Sequence, residues 1–137
     1  MQTFLPFPSY VQSAESLDYR RLGKQRVETY QILRTLRGES KGWARHPATR
    51  MWQGHEFNLA CYGAIMCQAW RLRGYKDSLL GYFEDAMLAL PVTTQPAWFG
   101  RDDIHLSHRS NLVRKLPSHY GPLFPGVPDD LPYVWPV

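Results

Sequence analysis

The chain has 137 residues, enough for a single hydrophobic core, so one domain spanning residues 1–137 is expected. Apolar residues at 44% and charged residues at 20% exclude a disordered or low-complexity chain, and no apolar run approaches the roughly 20 residues of a membrane span. The net charge of +4 is unevenly spread: residues 18–50 hold nine Lys/Arg against three acids, the remainder is net negative, and arginines outnumber lysines twelve to four, a bias that suits phosphate recognition and points to a nucleic-acid partner.

The N-terminal "MQTFLPFPSY" has no charged region ahead of an apolar stretch, so no secretory signal and a cytoplasmic location are expected. Pro6 and Pro8 hold residues 1–9 extended. A helical segment then runs to about residue 37, broken near residues 16–18 and stopped by Gly38. On its wheel Tyr19, Leu22, Tyr30, Leu33 and Leu36 form one apolar stripe directed at the core. Arg21, Lys24, Glu28 and Gln31, spaced three, four and three, share a face nearly opposite, bordered by Gln25.

That face is badly charged for a helix built only for stability. Cations in the first turns oppose the helix dipole at about 0.3–1 kcal/mol each. Lys24 ahead of Glu28 is also the poorer orientation for an i,i+4 pair. A phosphate bound there turns the cost into affinity.

The loop "GESKGWARHP" ends at Pro47, a favoured first-turn residue. A second long helix is expected over residues 48–73, apolar nearly all round in "FNLACYGAIMCQAW" and therefore central and buried. Cys61 and Cys67 lie six apart on it, a spacing that cannot close a disulfide, so free thiols in a reducing compartment follow. A third helix is expected over residues 76–90, then a loop, then a short helix capped by Ser107 to about residue 116. The tail, residues 121–137, is rich in proline, and Tyr120, Phe124, Tyr133 and Trp135 pin this end across the body. With no alternating strand pattern, the expected fold is all-α: three to five helices with long irregular connections.

His105 and His108 flank Ser107 in "HLSHRS", but no CxxC, HExxH, phosphate loop or dinucleotide fingerprint is present, so neither metal nor cofactor is expected. The run of motifs Asp-Tyr-Arg-Arg-Leu, "GESKGWARHP", "WQGHE", "RLRGYKD" and "HLSHRSNLVRKLPSHY" resembles the pyrimidine-dimer DNA glycosylase family, whose prototype is the bacteriophage enzyme endonuclease V. It resembles in particular a bacterial and phage branch that begins "QTFLP" and carries "RLGKQRVE", and the resemblance covers residues 1 to about 125.

The resemblance implies a compact helical fold and a reaction on a flipped-out base in damaged DNA. In the prototype an N-terminal α-amine attacks the sugar C1′, the base leaves, a Schiff base forms, and a glutamate on the first long helix assists strand cleavage. Tyr19 and Arg20 match the family's Tyr-Arg pair, but Arg21 stands at the position of the prototype's glutamate. Gln2 is too large for the usual methionine trimming, so Met1 is expected to stay and its amine to lie one residue further out. A broader set of relatives shares a Lys-x-x-x-Glu-x-x-Gln spacing followed by His-Pro, which Lys24, Glu28, Gln31 and His46-Pro47 fit.

The expected function is therefore a DNA N-glycosylase, with or without AP-lyase activity, acting as a monomer. Glu28, Lys24, Arg21 and Met1 are the expected catalytic group. Arg20, Arg26, Gln2, Gln25 and Gln31 are expected to hold DNA, with His46, Trp52 and His55 lining the pocket and Trp43 or Trp52 stacking on a base. His108, Arg109 and Lys115 bring the C-terminal motif to the same place. The alternatives are a binding module without catalysis and an enzyme acting on a modified nucleoside or nucleotide.

Overall fold

Ser9 opens the first helix: its hydroxyl accepts the Gln12 N–H at 3.1 Å, and α1 runs Tyr10–Ser16. The structure, a computed structural model, describes residues 1–137. α2 follows at once, Tyr19–Leu36, and ends ahead of Gly38. His46 opens α3, Pro47–Arg50, by accepting the Ala48 N–H on Nδ1 at 3.0 Å. Then come α4, Glu56–Leu72, α5, Leu80–Ala89, α6, Asp102–Lys115, and α7, Pro117–Leu123. No helix is long and apolar enough to cross a membrane.

The all-α expectation holds, but the helices number seven, not three to five. The expected helix over residues 48–73 is two helices, because Gly54 takes φ +84, a conformation that ends helical hydrogen bonding. α5 starts four residues later than expected, where the Asp77 carboxylate accepts the Leu79 and Leu80 N–H groups at 3.1 and 2.7 Å. α6 starts at Asp102, not at a Ser107 cap: Asp102 and Asp103 sit in its first turn, where they complement the dipole. Ser107 lies mid-helix and donates to the Ile104 carbonyl at 2.8 Å. Pro117 begins α7 as a separate first-turn residue.

α4 is the central helix and packs against α1, α2 and α5. It reaches α5 at Gly63, where an added Cβ would stand 2.4 Å from the Phe83 ring. The core gathers 24 buried apolar residues, among them Leu22, Ile32 and Leu33 of α2, Trp52, Tyr62 and Phe83. Tyr19 is not among them. It is 51% exposed and stacks on Tyr75.

The most distinctive packing belongs to the extended N-terminal segment, whose backbone is hydrogen-bonded by side chains from three helices and whose Thr3 hydroxyl is held from the α3–α4 turn. Gln25 of α2 accepts the Phe4 N–H at 2.8 Å and donates to the Gln2 carbonyl at 2.9 Å. Tyr62 of α4 donates to the Phe4 carbonyl at 2.8 Å. Trp52 donates its indole N–H to the Thr3 hydroxyl at 3.0 Å. From α6, His108 accepts the Leu5 N–H at 2.9 Å, His105 meets the Leu5 carbonyl at 2.7 Å, and Arg109 donates to the Pro6 carbonyl at 2.8 Å.

The two α6 histidines make stability depend on pH. Burial, followed by the nearby His105, pushes the His108 imidazole down to about 3, and burial likewise lowers His105. A depressed histidine is neutral in the folded chain and protonated in the unfolded one below about 6.5, so its contribution is complete above that pH and drains away toward pH 3. Urea unfolding at a series of pH values should therefore show stability falling by about 1.4 kcal/mol per pH unit below pH 6 from His108 alone. Asp18 and Asp77, the buried carboxylates held below their usual range, stabilise the fold at higher pH and begin to lose that contribution only near pH 4 and under. A flat profile from pH 6 to 4.5 would contradict the neutral His108.

Candidate active site

A cleft of about 290 Å³ opens where the N-terminal segment crosses α2. Its buried floor is Gln2, Phe4, Gln25 and Glu28. Its rim is cationic: Arg20, Arg21 and Lys24 from α2, and Lys115 from the end of α6, with Met1 beside them. Tyr133 closes one wall from the tail.

Glu28 is the sole acid lining this cleft, and it is only 9% exposed. Its wheel position faces away from the apolar stripe, but the N-terminal segment lies over that side of α2 and buries it. One oxygen accepts the Gln2 N–H at 3.2 Å and faces the Gln25 amide at 3.5 Å; the other pairs with Lys24 at 3.6 Å. Gln25 is itself locked, its carbonyl accepting from Phe4 N–H at 2.8 Å and lying 2.7 Å from the Tyr62 hydroxyl, whose single proton it shares with the Phe4 carbonyl. The carboxylate is thus held by a rigid polar lattice and directed at the cleft. The Gln2 side-chain amide nitrogen Nε2, buried at the same place, has no hydrogen-bond partner within the chain.

Asp18 precedes α2 but does not cap it. Its carboxylate accepts from Arg21 at 3.2 Å and from the Tyr120 hydroxyl, which in turn accepts the Asp18 N–H at 2.9 Å. Burial alone would raise this carboxyl, yet Tyr120 and Arg21 hold it below the ordinary range. A cap worth about 1 kcal/mol is given up to fix the Arg21 guanidinium over the cleft.

The Lys115 ammonium makes no ion pair or hydrogen bond within the chain. Partial desolvation, then the charges of Arg21, Arg114 and Lys24, lower its ammonium, with Glu28 opposing. His46 is lowered by burial and by the N-terminal ammonium, again against Glu28, so the ring lies within electrostatic reach of both. It sits edge-on to Trp43 and Trp135, 5.8 and 5.7 Å between ring centres.

Of the expected face, Arg21, Lys24 and Glu28 meet in the cleft, as do Met1, Gln2, Arg20, Gln25 and Lys115. Gln31 instead lines a second depression of about 270 Å³ with Arg34 and Trp43. Trp43 is 54% exposed at φ 62. Arg26 points away to the α4 side, paired with Asp77 and packed 4.7 Å over the Trp70 ring. Trp52 and His108 are fully buried and offer a base no free ring face; Trp52, His108 and Arg109 hold the N-terminal segment. His55 sits before α4 with its ring on the Thr94 carbonyl.

The sequence reading missed Asp18 and Tyr120 as the brace of Arg21, and Phe4 and Tyr133 as cleft walls. Only "SHYG" within the family-like C-terminal run hinted at Tyr120; no local signal carries Tyr133 to α2.

No curated protein and no solved structure matches the chain. A family model described as pyrimidine dimer DNA glycosylase matches residues 1–80. That stretch supplies α1 to α4 and every cleft residue except Lys115 and Tyr133. The match covers 80 of 137 residues and takes in the carboxylate and most of its cationic rim: the chain belongs to the pyrimidine dimer DNA glycosylase family.

Proposed function

We propose that the chain releases a damaged or modified base from DNA in the α2 cleft, with Glu28 as the catalytic carboxylate. One observation carries the reading: a single buried acid held in a fixed pose among four cations, Arg20, Arg21, Lys24 and Lys115. The cations suit the phosphates flanking an extruded nucleotide. The carboxylate suits a sugar whose C1′ becomes cationic as the base departs. Phe4 and Tyr133 give the base an apolar wall. Membership of a family described by this activity supports the same conclusion.

In the lyase route an amine of the cleft attacks C1′. The nitrogen–C1′ bond forms, the glycosidic bond breaks, the base leaves as an anion that solvent protonates, and the Glu28 carboxylate takes the proton the amine gives up. Protonated Glu28 then returns a proton to the ring oxygen, opening the sugar to an iminium. Glu28 next takes a proton from C2′, the C3′–O bond breaks, and water hydrolyses the iminium to free the amine. In the monofunctional route Glu28 activates water and no amine is needed. The Met1 α-amine and Lys24 were expected as the nucleophile, and both border the cleft. A screen of base release and strand scission across duplexes carrying damaged or modified bases tests the proposal, and no release from any of them would refute it.

Arg21 at the position of the prototype's glutamate motivates a second reading, a binding module without catalysis. Both readings give Arg21 a phosphate. Arg21→Ala should weaken DNA binding and flatten the slope of log affinity against log salt by about 0.9, one ion's worth. An unchanged slope in a salt titration would remove Arg21 from the phosphate contact.

A further inference from the structure

The polar face of α2 does not end at the cleft. Glu28 lies on the cleft floor, and Gln31, about 4.5 Å of helix rise further on, lines the second depression of about 270 Å³ with Arg34, Ser40, Gly42 and Trp43. A strand advances about 3.4 Å per nucleotide in a duplex, so these two side chains stand about one to two nucleotides apart.

Trp43 dominates the second depression. Its φ of 62 is a conformation that a bulky residue rarely adopts and that glycine adopts without strain. No core packing compensates that strain: the ring is 54% exposed and meets only the edge of His46. The loop that presents it is fixed on α2, because the Thr35 hydroxyl donates to the Gly42 carbonyl at 2.6 Å and the His46 N–H to the Trp43 carbonyl at 3.1 Å. A large ring held out into solvent on a strained backbone marks a recognition surface.

The surroundings say what is recognised. Lys41 and Arg45 flank Trp43, are exposed and form no ion pair, and Arg34 reaches the Glu39 carboxylate only at 3.9 Å. Rings also connect the two depressions: Trp43 meets His46, His46 meets Trp135 at 5.7 Å, and Trp135 meets Tyr133, the cleft wall, at 5.3 Å. Aromatic rings beside cations are the combination that follows an unpaired strand, stacking its bases and holding its phosphates. Both faces of a base inside a duplex are already stacked, so a surface ring reaches one only where the strand is open.

We propose that the Trp43 depression is a second nucleotide subsite, which stacks the base next to the one processed in the cleft and so directs the protein to lesions in single-stranded or locally opened DNA. This subsite rests on the cleft being the glycosylase site. Arg34, Lys41 and Arg45 supply charge for the phosphate, and Gln31 supplies an amide for the base edge.

The test compares one oligonucleotide carrying a reduced abasic site, which cannot react, as a single strand and as a duplex, by affinity and by tryptophan fluorescence of the full chain. The single strand is expected to bind more tightly and to quench the fluorescence. Trp43→Gly, which suits the backbone, should leave the unfolding midpoint unchanged or raised, yet lose about 5- to 150-fold in single-strand affinity, the worth of one stacked base. The preference for the single strand should fall with it, and Trp43→Phe should keep most of both. Tighter binding of the duplex by the parent, an equal loss on both DNAs in Trp43→Gly, or a loss that tracks a lowered unfolding midpoint overturns the proposal. Base release is scored separately: if no lesion is processed while the Trp43-dependent preference persists, the reading of the cleft fails and the strand contact stands.

Discussion

Glu28→Gln is expected to stop base release while leaving DNA affinity intact or slightly tighter. The substitution keeps the shape, and the amide oxygen can still accept the Gln2 N–H that now bonds to the carboxylate at 3.2 Å. What it removes is a proton acceptor and the one negative charge among four cations of the cleft. Loss of a positioned general acid/base costs about 10²–10⁴ in rate. Removal of the charge also weakens stabilisation of a cationic C1′, so the fall should lie toward the upper end. Phosphate binding has no use for the carboxylate, and its neutralisation relieves a repulsion. Single-turnover base release alongside a gel-shift titration measures both. A variant that retains release within about tenfold of the parent would take catalysis away from Glu28, and the binding-module reading would gain if no lesion were processed by either protein.

Trp52→Ala is the substitution expected to cost most stability, about 3–5 kcal/mol, the usual range for truncating a buried aromatic. The ring is fully buried, packs edge-on against Trp98 at 5.0 Å and lies against Tyr10 and Tyr62. Its indole N–H also holds the Thr3 hydroxyl, so truncation frees the segment that roofs Glu28. Activity should therefore fall even in conditions where the variant stays folded. Trp52→Phe separates the two effects, because it keeps most of the packing and loses a hydrogen bond worth about 1 kcal/mol. Urea unfolding of both variants gives the stabilities. A loss below about 1.5 kcal/mol for the alanine variant would contradict the packing described here.

How much of this was legible depended on whether the determinant was local. The two segments of the first helical region, the Gly38 stop and the central place of "FNLACYGAIMCQAW" follow from period and punctuation within a few turns. The cationic face of α2 was visible for the same reason. The break at Gly54 was hidden because the flanking residues keep an apolar rhythm that runs through it. The start of α6 was misplaced because a serine cap was preferred to two acids in a first turn, though both signals were present.

Glu28 was read as lying opposite the core, which is true of α2 alone. Its burial comes from a segment 26 residues earlier in the chain. His105 and His108 bond to Leu5 across 100 and 103 residues, and Tyr120 to Asp18 across 102. No spacing rule reaches that far: Tyr120 pins the C-terminal end to the start of α2, as expected, and the two histidines hold the N-terminal segment.

The roof over Glu28 has a practical consequence for making the protein. Gln2 and Thr3 are 3% and 0% exposed, and Met1 borders the cleft mouth. Any affinity tag fused ahead of Met1 must leave through that mouth, where it competes with nucleic acid and covers the α-amine. A fusion placed after Val137 leaves this end bare and is the form in which turnover and DNA affinity should be measured.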